Sequence, residues 1–228
     1  MPEHSHVPSD PVPALRTAYE ALAAVVDPLG DEESWQPTGC TGWAVRDLVF
    51  HLVADARRAL VALHTPASGQ PDRDAVTYWQ DWRPHPGGAA NGRRYNRVAA
   101  SMFLDFAQLR ELYLETAAAT VHAAAAVRPD ALVATQGHVL TAGDLMSTLT
   151  VEAAVHQLDL VVGLPTAPGP PPAALAVVRT TLDGLLGRPL PVDWSDEHYA
   201  RAGTGRLPLT EPERRSLGPD ADRFPLFC

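Results

Sequence analysis

Thr141 to Pro165 reads TAGDLMSTLTVEAAVHQLDLVVGLP, and the spacing within it predicts a helix facing a core. Leu145, Leu149, Glu152, His156 and Leu160 recur at steps of four, three, four and four, the stripe of a buried helix seam. Thr141 and Asp144 read as a capping pair at its start, and Gly163 with Pro165 closes it. Glu152 and His156 interrupt that stripe, one turn apart on the same face. Each would lose on the order of 2–7 kcal/mol if buried without a partner. A bound metal ion compensates both; a buried hydrogen-bonded pair is the alternative reading.

Outward from this helix, the apolar spacing predicts three more. Residues 11–27 carry Leu15, Ala18, Leu22, Val25 and Val26 on one face, with Ser9 or Asp10 as cap and Pro28 and Gly30 as the stop. Residues 44–64 turn Val45, Leu48, Val49, Leu52, Ala56 and Leu60 inward, and His51 shares that sector. A long third helix is expected over residues 91–127, broken near its middle. Residues 133–139 read as a connector. The expectation is an all-α protein: a four-helix bundle over residues 1–165 and a helical C-terminal extension over residues 166–228 packing back on it. The extension carries a fifth helix over residues 173–186 and short turns at residues 195–202 and 210–216. Residues 192–194 are the one stretch that reads as extended.

Composition limits what such a bundle does. A net charge of −9, with no lysine among its cations, argues against nucleic acid. Cys40 and Cys228 are too few and too far apart for a disulfide framework, which fits a reducing cytoplasm. No apolar run has the roughly 20 residues of a membrane span, and the start of the chain lacks a secretion pattern. A cytoplasmic protein with no membrane partner is expected. There is no G-x-S-x-G nucleophile motif, Walker A loop or Rossmann glycine pattern.

Imidazole and carboxylate are good ligands for first-row metals, and His51, Glu152 and His156 would make a catalytic zinc set with an open fourth position. Asp159, about one turn past His156, is placed to orient that imidazole or to face solvent. The run TGCTGWAVRDLVFHLVAD (residues 38–55) and the run from Thr141 are similar to the two signatures of the DinB-like, mycothiol-dependent maleylpyruvate isomerase N-terminal family. The resemblance spans residues 12–165; the tail matches more loosely. It implies a DinB-like four-helix bundle with a divalent metal, usually zinc, on His51, Glu152 and His156, and mycothiol as thiol cosubstrate. The activity implied is thiol S-transfer or thiol-assisted isomerisation of a small electrophile. The alternatives are a bundle held by a structural metal and a metal-dependent hydrolase. Nickel is a second candidate for the ion in a purified sample, and a homodimer is compatible with the sequence.

Further residues complete the expectation. Arg57 and Arg58, two turns past His51, would offer an anion fork or a solvated face, and Asp55, one turn past it, would share that solvated face. Arg93, Arg94 and Arg97 would line a pocket mouth. Tyr78, Trp79 and Trp82, in the long loop over residues 65–90, would wall a pocket or plug onto the bundle. Trp43 reads as packing, Cys40 as a buried inert thiol, and His4, His6, His64, His85, His122, His138 and His198 as surface or core residues.

Overall fold

The α1 helix, Val12–Val26, starts behind Pro11 and buries Leu15, Ala18, Tyr19, Leu22, Val25 and Val26. The computed structural model describes residues 10–81 and 86–227. After α1 come a one-turn α2 (Asp31–Ser34), α3 (Val45–Leu63) and a 3-10 turn (Thr77–Asp81). The chain continues through α4 (Pro86–Ser101), α5 (Phe106–Ala126), β1 (Leu132–Thr135), β2 (His138–Thr141) and α6 (Ala142–Leu160). It ends with α7 (Pro172–Leu186), α8 (Asp196–Gly203), α9 (Glu211–Leu217) and a second 3-10 turn (Gly218–Arg223). The bundle consists of α1, α3, α5 and α6, with α1 and α3 each packed against both α5 and α6. The helical class and four-helix bundle expected from the sequence are the fold observed.

Nearly every residue of α6 is buried, Leu145, Met146, Val151, Ala154, Leu158 and Leu160 among them. A surface helix would show one apolar stripe. Here α1 and α3 cover one side and α7 and α8 the other. The cap of α6 matches the expectation: Thr141 Oγ1 accepts from the Asp144 amide at 3.0 Å and donates to Asp144 Oδ2 at 2.6 Å. Thr141→Ala should therefore lower stability by about 0.5–2 kcal/mol. Denaturant unfolding measures this, and an unchanged midpoint would show that the cap contributes nothing.

Two expectations are corrected and one is made definite. Residues 133–139 are not a plain connector, because Leu132–Thr135 and His138–Thr141 pair antiparallel, with Leu132 opposite Thr141. Gln136 and Gly137 both adopt positive φ, +50° and +85°, as a two-residue hairpin turn requires. Gln-Gly is a weaker hairpin signal than Asn-Gly, and each strand is only four residues long. The third helix does break, into α4 and α5, where the Asp105 side chain accepts from the Ala107 amide at 2.9 Å and starts a new N-terminus. Residues 192–194 pair with no strand among the described residues; the Trp194 amide instead bonds Val192 O at 3.1 Å.

The segment following α3 is stitched to the hairpin. Ala67 N donates to Leu132 O at 2.9 Å, and the Asp72 carboxylate accepts from the Val139 amide at 2.8 Å. Its Trp79 packs on Phe227 of the C-terminal tail, ring centres 4.4 Å apart. No helix among the described residues is long and apolar enough to cross a membrane.

Candidate metal centre

Helical spacing builds the centre twice over. His51 and Asp55 lie one turn apart on α3, and Glu152 and His156 one turn apart on the facing side of α6. The Nε2 atoms of His51 and His156 are 3.0 Å apart. His51 Nε2 stands 3.2 Å from Asp55 Oδ2, and His156 Nε2 stands 3.1 Å from Glu152 Oε2. One donor atom from each of the four residues lies within 4.8 Å of every other. Ligands about 2.0–2.2 Å from a tetrahedral zinc ion stand roughly 3.3 Å from one another, so the spacing suits such an ion.

His156 is held from behind. Its Nδ1–H donates to Asp159 Oδ2 at 3.0 Å, which assigns the tautomer and turns the Nε2 lone pair toward the cluster. Asp159, with its side chain 1% exposed, also accepts from Arg206 Nε at 3.0 Å and Arg206 Nη2 at 2.7 Å. Burial would raise the Asp159 pKa, but the bond from His156 and the Arg206 charge hold it far below the ordinary carboxylate range.

Within the cluster, burial and neighbouring charges pull each group in opposite directions. Burial works against a charge on His156, yet hydrogen bonds to Asp159, Cys40 and Glu152 outweigh it and hold its pKa well above the ordinary histidine range. Burial pushes His51 down, against the pull of Asp55. It pushes Asp55 up, against the pull of His51. Glu152 is lowered, since His156 more than offsets its desolvation. One proton on His156 does not satisfy the whole group: Asp55 Oδ2 is buried and receives no hydrogen bond. Two imidazoles and two carboxylates converging on one point, one oxygen orphaned, fit a divalent cation.

The structure brings His51, Glu152 and His156 together and sets Asp159 behind His156. Asp55 is a correction, being buried within the cluster rather than on a solvated face. Cys40 is a second correction. Its thiol donates to Asp159 Oδ2 at 3.2 Å and lies 3.9 Å from His156 Nδ1, so it does neighbour a histidine in space. Its loop reaches α6 because Gly39 has no side chain; a Cβ there would stand 2.5 Å from Asp159 Oδ1. Arg206 was not singled out by sequence at all.

The remaining residues divide between the rim and elsewhere. Trp43 tilts over His51, ring centres 5.3 Å apart. Arg58 pairs with Asp55 Oδ1 at 3.0 Å, whereas Arg57 is exposed and outside the cluster's contacts. A crevice of about 20 Å³, lined by Asp55, Arg58, Tyr78, Gln136, Thr148 and Glu152, adjoins the centre. Tyr78 thus reaches the rim, while Trp79 plugs onto the tail. Arg93, Arg94 and Arg97 are exposed on α4, where Arg93 O accepts from the Trp43 indole at 3.4 Å. His138 pairs with Asp72, and His198 with Glu213. Ser9, His4, His6, Trp82, His85 and Cys228 lie outside the described residues. A roomier groove of about 340 Å³ between α1 and α5 is lined by His122, and none of its described lining residues belongs to the candidate cluster.

Fold and site together define a helical bundle with a candidate metal centre between two of its core helices. The chain belongs to the mycothiol maleylpyruvate isomerase N-terminal domain family, whose sequence profile matches residues 15–161. Among solved structures it is similar to the crystal structure of the mycothiol-dependent maleylpyruvate isomerase, with a TM-score of 0.53 and 15% identity. That likeness covers 75% of this chain and 68% of the other, and it speaks for the fold. No curated protein matches the chain.

Proposed function

We propose that this protein is a metal-dependent enzyme that binds and activates a low-molecular-weight thiol, mycothiol, for S-transfer to, or isomerisation of, a small electrophile. The observation that carries this reading is the convergence of His51, Glu152, His156 and Asp55 in a chain of this family. His51, Glu152 and His156 would hold the ion, with zinc the best match to the donor set. When bound, the ion would supply the positive charge that lowers a thiol's pKa and keeps it a thiolate near neutral pH.

The chain's own residues do the positioning. Asp159 keeps the proton of His156 on Nδ1, away from the cluster, and Arg206 keeps Asp159 ionised. Trp43 and the crevice rim at Tyr78 and Gln136 limit access of water. Arg58 offers a cation beside the crevice for an anionic substrate group. Residues 166–228 serve this centre as an extension of the bundle: α7 packs on α6, and Arg206 reaches Asp159.

A structural metal is the second reading, favoured by Asp55 as a fourth protein donor, since structural sites are closed by four ligands. The two part on a thiol titration followed by calorimetry. About one equivalent of metal per chain and saturable mycothiol binding only to the metal-loaded protein are expected. Metal content without thiol binding would remove the enzymatic reading.

A further inference from the structure

Asp55 divides its two oxygens between opposing demands. Oδ1 accepts from Arg58 Nη1 at 3.0 Å, while Oδ2 faces the cluster, 3.2 Å from His51 Nε2, buried and without a hydrogen bond. An orphaned carboxylate oxygen in a core is costly unless something charged meets it. The charge count agrees, because two neutral imidazoles and two carboxylates balance a divalent ion in a buried place. His51, His156 and Glu152 alone would leave a net positive charge there.

Arg58 is itself anchored. With the Gln136 amide oriented to accept, its oxygen lies 2.7 Å from Arg58 Nη1 and 3.1 Å from the Tyr78 hydroxyl. Gln136 is in the hairpin turn that walls the crevice. Asp55 is thus the one cluster carboxylate paired with an arginine that reaches the crevice.

We propose that Asp55 is a fourth protein ligand of the ion through Oδ2, and that Arg58, by competing through Oδ1 for the charge of the same carboxylate, sets how firmly it holds. This rests on the metal reading above and adds a residue to it. With the ion bound, Asp55 would complete the set of protein donors, and its existing bond to Arg58 would make it the donor most easily given up to an incoming ligand.

The test reconstitutes the metal-free protein with Co²⁺ alone and reads its visible absorption, which reports the number of ligands, and its affinity against a chromophoric chelator. Asp55→Asn should change the spectrum and weaken binding by roughly tenfold or more, a loss that outer-shell partners alone already reach. Arg58→Gln should keep the parent spectrum and bind more tightly. A parent-like spectrum and affinity in Asp55→Asn would leave the metal reading standing and overturn Asp55 as a ligand. Unchanged affinity in Arg58→Gln would overturn the competition. Failure of the parent itself to bind Co²⁺ would overturn the metal reading and this inference together. Far-UV circular dichroism checks that each variant is folded, and Arg58→Gln keeps the question answerable if Asp55→Asn is not.

Discussion

A His156→Ala protein should bind no stoichiometric divalent ion and yet keep its helical fold. Removing that imidazole takes away the donor at the middle of the cluster, 3.0 Å from His51 Nε2 and 3.1 Å from Glu152 Oε2. Asp159 keeps its two bonds from Arg206, so the carboxylate behind it stays paired. The parent carries a pH signature that the variant should lose. To ligate, His156 must give up the proton that its hydrogen bonds hold well above the ordinary histidine range. Metal affinity should climb as pH rises toward that pKa, with protons released on binding. The stability of the metal-free parent should show the reverse trend. A histidine whose folded pKa is raised contributes stability fully present below its unfolded value of about 6.5, and lost as pH rises through the folded one. Metal titration at several pH values, with proton release measured, checks both. A His156→Ala protein binding one equivalent with the parent's pH dependence would place the ion elsewhere.

How far the sequence discloses this centre depends on what kind of contact each residue makes. His51, Glu152 and His156 are legible because they break apolar seams, and a seam is a local, periodic signal. Asp55 follows His51 by the same step that joins Glu152 to His156. It reads as a solvated residue because Arg57 and Arg58 follow it, and both prove exposed. Cys40 and Arg206 leave no local mark. Cys40 reaches His156 across 116 positions, through a loop laid on α6 at Gly39, and Arg206 reaches Asp159 across 47. Such pairings depend on how elements pack, which helical periodicity does not encode. The fold divides the same way: α1, α3 and α6 follow from their apolar stripes, and α6 from its Thr141 cap as well. The hairpin rests on two positive-φ residues, Gln136 and Gly137, of which only glycine advertises that conformation.

The other large effect is expected from Arg206→Ala, a change well outside the matched region ending at residue 161. Asp159 is 1% exposed and Arg206 17%, and the guanidinium grips both carboxylate oxygens, at 3.0 and 2.7 Å. Taking away one partner of a buried pair leaves an uncompensated charge and costs roughly 3–5 kcal/mol, toward the lower end here because water reaches part of Arg206. The acid limb of the stability curve should move as well. With its folded pKa depressed, Asp159 contributes stability present above the unfolded value of about 3.9 and lost as pH falls through the folded one. Without Arg206 that depression shrinks, so the contribution at neutral pH falls and acid unfolding starts at a higher pH. The cluster should feel the change too, since an Asp159 no longer gripped by Arg206 is held less firmly against His156 Nδ1. Metal affinity should drop by roughly 10–100-fold, as when other second-layer partners of a ligating histidine are removed. Denaturant unfolding of the metal-free protein from about pH 3 to pH 8, with a metal titration at neutral pH, reads all three. Parent-like unfolding with reduced metal affinity would make Arg206 an orienting residue only, and parent-like values for both would sever the extension from the centre.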